Sequence, residues 1–154
     1  SFRVAIFDGS VYGANLSANY TSGVDIGTAN KTANYATGDI EFNTSTLTAT
    51  DVNARAVGGT ANQDATNAIL RYCNVGTTTI THLNVSLSAE PHTCIKLFGG
   101  TAQTGRTVIN SSTNVTVSSA MTVTTCQQWW LRANFTSCPV GTQNADLISL
   151  AASS

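Results

Sequence analysis

The first residues of the chain alternate in character: Phe2, Val4 and Ile6 are apolar, with Ser1, Arg3 and Ala5 between them. A period of two marks a strand with one buried face. The alternation recurs further along. In THLNVSLS, Leu83, Val85 and Leu87 share a face opposite Asn84 and Ser86; in TNVTVSS, Val115 and Val117 oppose Asn114 and Thr116. In QQWWLRANFT, Trp129, Leu131, Ala133 and Phe135 share a face, with Trp130, Arg132 and Asn134 on the other. The pattern predicts strands over 2–7, 39–48, 52–57, 66–73, 79–88, 93–98, 106–109, 113–118, 120–126, 127–135 and 146–152. Turns are expected at Asp8-Gly9, Gly58-Gly59, Gly76, Gly99-Gly100 and Pro139-Val140-Gly141. The segment 13–38 is small and polar and reads as irregular or weakly stranded. No stretch carries the period of an amphipathic helix. Short strands at this spacing, with no internal repeat and no dividing linker, predict an all-β chain and a β-sandwich.

Composition narrows the function classes. Charged residues make up 10% of the 154 and the net charge is -1, so nothing attracts nucleic acid or an anionic membrane surface. No run approaches the roughly 18 apolar residues needed to span a bilayer. The chain starts at Ser1 rather than Met, which reads as a mature protein after signal-peptide removal. Eight carboxylates and seven Lys or Arg leave room for few ion pairs, so stability is expected to depend little on acid.

Two further counts point to an oxidising, extracellular setting. The four cysteines, Cys73, Cys94, Cys126 and Cys138, lack CxxC spacing and read as a disulfide framework with three pairings open. Neighbours in sequence are the expected partners, Cys73 with Cys94 and Cys126 with Cys138. Eight of the fourteen Asn begin N-x-S/T sequons: Asn15, Asn19, Asn30, Asn43, Asn84, Asn110, Asn114 and Asn134. Ser and Thr are about a quarter of the chain, so chance alone gives between three and four. Strand parity puts Asn84, Asn114 and Asn134 on polar faces, where a glycan has room.

Catalytic chemistry is hard to find. His82 and His92, the only histidines, lack metal-ligand spacing, and His92 follows Pro91 in an expected turn. Asp39 and Glu41 lie two apart on one predicted strand; a glycosidase needs its carboxylates on opposite sides of the substrate, and a solvated strand face accounts for them better. There is no GxSxG elbow, and Gly9, Gly13, Gly23 and Gly27 lack the strand-to-helix context of a phosphate loop. The expectation is no catalytic residue, no metal, no cofactor and no enzyme. Trp129 and Trp130 must face opposite ways on a strand. The exposed one could stack on a sugar ring, which keeps a secreted carbohydrate-binding β-sandwich module or adhesin domain as the alternative.

A strand such as 2–7 can pair within its own domain or complete the sheet of another copy, a head-to-tail contact that does not close and so builds a fibre. With its SFRVAIF strand, its sequon density and its Thr-rich all-β body, the chain resembles the subunits of archaeal thread-type surface filaments. That resemblance implies an Ig-like or pilin-like β-sandwich, with a jelly-roll-like arrangement as the alternative, polymerising by strand donation. Residues 1–12 would be the donor strand and the start of a linker, and 13–154 a single sandwich domain. Phe2, Val4 and Ile6 would enter a neighbour's groove. The partners implied are other copies of the chain and N-linked glycans, at the cell surface, in a filament serving adhesion or biofilm.

Overall fold

The computed structural model of the chain describes residues 2–8, 16–20, 25–27, 40–43, 48–56, 68 and 70–153. Thirteen strands and no helix are found among them: β1 (Phe2–Asp8), β2 (Leu16–Tyr20), β3 (Asp25–Gly27), β4 (Ile40–Phe42), β5 (Val52–Asn53), β6 (Arg55–Ala56), β7 (Leu70–Asn74), β8 (Ile80–Leu87), β9 (Ile95–Gly100), β10 (Thr107–Ile109), β11 (Val115–Ser118), β12 (Cys126–Phe135) and β13 (Gln143–Ser153). The chain is all-β, as its alternation predicts.

The strands form two sheets. One has six strands in the order β11-β8-β13-β1-β4-β6; the other has seven, running β10-β9-β12-β7-β2-β3 with β5 paired to β12. Both feed one core. Phe2, Val4, Ile40, Leu83 and Val85 come from the first sheet, and Leu70, Tyr72, Leu97, Trp129 and Leu131 from the second. A shared core between two sheets is a sandwich-like arrangement.

Parity holds where it was clearest. Leu83, Val85 and Leu87 of β8, Val115 and Val117 of β11, and Trp129, Leu131, Ala133 and Phe135 of β12 are all buried. Other expectations need correction. Gly99-Gly100 is not a turn but the end of β9, opposite Leu131 and Trp130. A Cβ on Gly99 would sit 2.6 Å from the Trp129 indole nitrogen, so glycine is there for close packing rather than for turning. Residues 120–125 are not a strand: Thr125 donates back to the Thr122 carbonyl, and Met121 alone bridges to Ile80. Predicted strand 52–57 is two short pieces in different sheets, β5 against β12 and β6 against β4. Within 13–38, β2 and β3 pair at the edge of the seven-stranded sheet. Gly9 and Gly58-Gly59 lie outside the described residues.

The disulfides join Cys73 to Cys126 and Cys94 to Cys138, not sequence neighbours. The cause is topology. β12 lies between β7 and β9, so Cys73 falls directly opposite Cys126 in the β7–β12 register. Pairing of Phe135 with Ile95 across β12 and β9 then brings Cys138 to Cys94. No free cysteine remains.

Candidate functional site: the β1 slot

β1 lies between two strands that are far from it in sequence. It runs parallel to β13, from Phe2 beside Gln143 to Asp8 beside Ser149. On its other edge it is antiparallel to β4, with Phe2 opposite Phe42, Arg3 opposite Glu41 and Val4 opposite Ile40. Phe2, Val4 and Ala5 are wholly buried. Burial on both faces at Val4 and Ala5 is usual for a strand in parallel pairing at the centre of a sheet. The Phe2 and Phe42 rings stack, centroids 5.7 Å apart at 24°. Of the three side chains expected in a groove, Phe2 and Val4 fill the core of this same chain; the side chain of Ile6 lies outside the described residues.

One charged ladder crosses the slot. Glu41 is 3% exposed, so it does not lie on a solvated face as its sequence position suggested. Arg55 of β6, directly opposite it, donates to Oε1 from Nε at 3.0 Å and holds Nη2 at 2.9 Å from the same oxygen. From the other side Arg3 Nε lies 3.4 Å from Oε2. One buried carboxylate is thus shared by arginines on two flanking strands. Asp39, the other carboxylate of the expected pair, lies outside the described residues.

A second cluster sits on the outer side of β12. Asp51 Oδ1 is 2.6 Å from Arg106 Nη2 and 3.9 Å from the buried Arg132 Nε. The hydrogen bond from Arg106 and the two positive charges hold the Asp51 carboxyl below its ordinary value. On β13, Asp146 is raised by desolvation. Near the end of β8, Glu90 is lowered by hydrogen bonds from the Ser111 hydroxyl and backbone N–H.

The other candidates fall as follows. His82 and His92 are both exposed, and the His92 ring accepts the Cys94 N–H at 3.2 Å. Glu90, His92 and Lys96 border an open pocket of about 340 Å³ floored by Ile95, Leu97 and Ile109. Among the described residues no three His, Cys, Asp or Glu gather as metal ligands. Trp129 is buried core, so of the two tryptophans it is Trp130, half-buried on the opposite face, that is open to stacking on a sugar.

Of the sequons, Asn43 and Asn114 are exposed and Asn84, Asn110 and Asn134 half-buried. The Asn110 side-chain oxygen accepts from the backbone and hydroxyl groups of Ser112 and Thr113, an Asx-turn that occupies the oxygen while engaging no donor of its own amide. The Asn134 oxygen accepts the Asp51 N–H at 2.8 Å. Asn15 and Asn30, and the side chain of Asn19, lie outside the described residues. No helix among the described residues is long and apolar enough to cross a membrane.

Sequence reasoning missed the Glu41 ladder. Its signal was Arg3 itself: in a charge-poor chain, a guanidinium inside an apolar strand requires a carboxylate on a neighbouring strand. No known protein family, curated protein or solved structure matches the chain.

Proposed function

We propose that the chain is a structural subunit of an extracellular, glycosylated filament, an Ig-like or pilin-like sandwich that polymerises head-to-tail by exchanging β1. What carries this is the setting of β1. It is held by main-chain bonds to two distant strands, by the burial of Phe2, Val4 and Ala5, and by one ion ladder. The same strand from a second copy would make the same bonds, because none of these contacts depends on the connection to β2. Without β1, β13 and β4 each lose a partner and the core is open to water, an acceptor for strand addition.

Secretion is supported by the two disulfides, which persist in oxidising compartments. Glycosylation is supported by the exposure of Asn43 and Asn114.

Electron microscopy and denaturing electrophoresis of the full-length protein test the proposal. Filaments, or ladders of multimers that survive detergent without heating, are expected, and deletion of residues 1–7 should abolish them. A full-length chain that remains monomeric at high concentration, with a deletion variant that simply unfolds, means that β1 serves only its own domain.

A further inference from the structure

Building on the filament proposal, we infer that Glu41 is the residue by which the slot selects and registers the incoming strand, and that in the polymer it binds Arg3 of a second copy. Alternation alone cannot set the register of β1. A slip by one residue would turn Phe2 and Val4 away from the core, so burial forbids it. A slip by two keeps every apolar side chain on the correct face, so burial opposes it only through the fit of particular side chains, the Phe2–Phe42 stack among them. The ladder opposes it strongly. Arg3 supplies the only cation in β1. Shifted by two, the strand would set Ala5 or Ser1 opposite Glu41 and carry Arg3 to Asn43 or Asp39. Oε2 would then lose its pair with Arg3 in a site where the residue is 3% exposed, and a buried charge that loses a partner is costly.

The same device rejects other strands. Arg55 grips Oε1 from within the body, at 2.9 and 3.0 Å, and leaves Oε2 turned to the slot. An apolar strand without a cation at this position would fill the groove but forgo the ion pair that Arg3 makes with that oxygen. The occupant that fits is therefore a strand with apolar residues at its second and fourth positions and arginine at the third, the β1 of a second copy.

Charge inversion in trans provides the test. One chain carries Arg3→Glu, the other Glu41→Arg with Arg55→Glu, both full length with disulfides intact. Each donates a strand that its own slot refuses and its counterpart accepts. Neither should polymerise alone, and a one-to-one mixture should form filaments of alternating copies, followed by light scattering and electron microscopy. Three results overturn the inference: either single chain assembling at the unaltered rate; a mixture that stays unassembled while a chain carrying all three changes polymerises, which assigns the ladder to contacts within one chain; or filaments formed with β1 out of register. If the inverted chains lack the circular dichroism of the folded sheet, Arg3→Gln is compared instead. Assembly at least tenfold slower supports the inference and an unchanged rate overturns it. A wild-type chain that never polymerises defeats the filament proposal itself, and this inference with it.

Discussion

Phe2 and Phe42 face each other across the β1–β4 pair with their rings stacked at 5.7 Å, both wholly buried. One belongs to the strand that fills the slot and the other to its wall, so the pair reports directly on how firmly β1 is held. Phe2→Ala should cost about 3–5 kcal/mol of unfolding free energy, the usual range for a large aromatic removed from a packed core. A double-mutant cycle with Phe42→Ala should show coupling, since the two residues touch. A loss below about 1 kcal/mol in urea unfolding would mean that β1 is not seated as described.

Gly99→Ala should destabilise the fold by about 1–3 kcal/mol, the range for overpacking, because the new methyl meets the Trp129 indole at 2.6 Å. Trp129→Phe opens space at that point. If the clash is the cause, the added cost of Gly99→Ala should shrink in the Trp129→Phe background. Equal costs in both backgrounds would point elsewhere.

Acid should act with two opposite signs. Asp51 is held below its ordinary value of 3.8, chiefly by the Arg106 hydrogen bond. The stability this confers is complete above 3.8 and is lost as the pH falls through the folded-state value. Glu90, lowered from 4.5 by Ser111, has the same sign. Asp146 is raised by desolvation, so acidification through its folded value down to 3.8 restores stability. Urea midpoints should therefore stay level or rise slightly on descending towards 4.5, where the Glu90 contribution begins to be lost, and fall more steeply below 3.8. Asp146→Asn should remove the rise, and Arg106→Gln should reduce the fall. The sequence, with its few charges, suggested indifference to acid; the lowered values of Asp51 and Glu90 predict a dependence below about 4.5 instead.

Peptide mapping under non-reducing conditions should recover Cys73 linked to Cys126 and Cys94 linked to Cys138. With separations of 53 and 44 residues, each bridge is worth about 4 kcal/mol in the chain-entropy account. Cys126 is exposed whereas Cys94 and Cys138 are buried, so mild reductant should open the first bridge before the second.

Glycan occupancy should follow exposure. In native protein, Asn43 and Asn114 should be the most fully modified described sites, and Asn84, Asn110 and Asn134 less so. Intact mass spectrometry should exceed the bare 16.0 kDa, with site mapping giving the order. A mass of the unmodified chain would remove glycosylation from the proposed function.

Which parts of the fold were legible follows from where burial is one-sided. β8, β11 and β12 each bury alternate residues, so Leu83, Val85, Val115, Val117 and Leu131 could be assigned a face from sequence alone. Gly99-Gly100 misled because a glycine pair resembles a turn whether it bends the chain or admits a neighbouring indole. The disulfide pairing depended on β12 lying between β7 and β9, a fact about sheet order that spacing does not carry. β2 and β3 are held by pairing to β7 and to each other, and their residues give little pattern of their own. Glu41 could not be recognised as buried without knowing that β1 and β6 flank it.

The parallel pairing of β1 with β13 also sets an order of events in time. Phe2 cannot meet Gln143 until nearly the whole chain is available, and contacts between such remote segments form slowly because a long loop must first close. The rest of the six-stranded sheet contains a more local pairing, β8 with β11. A nascent chain therefore passes through a stage in which β13 and β4 await a neighbour. If the strand exchange proposed above operates, the chain's own β1, tethered nearby, competes during that interval through its effective concentration with strands from other molecules, which compete through their number. Crowding copies together would then shift that contest towards exchange, and how densely each chain is delivered would weigh on its outcome before a complete sheet exists.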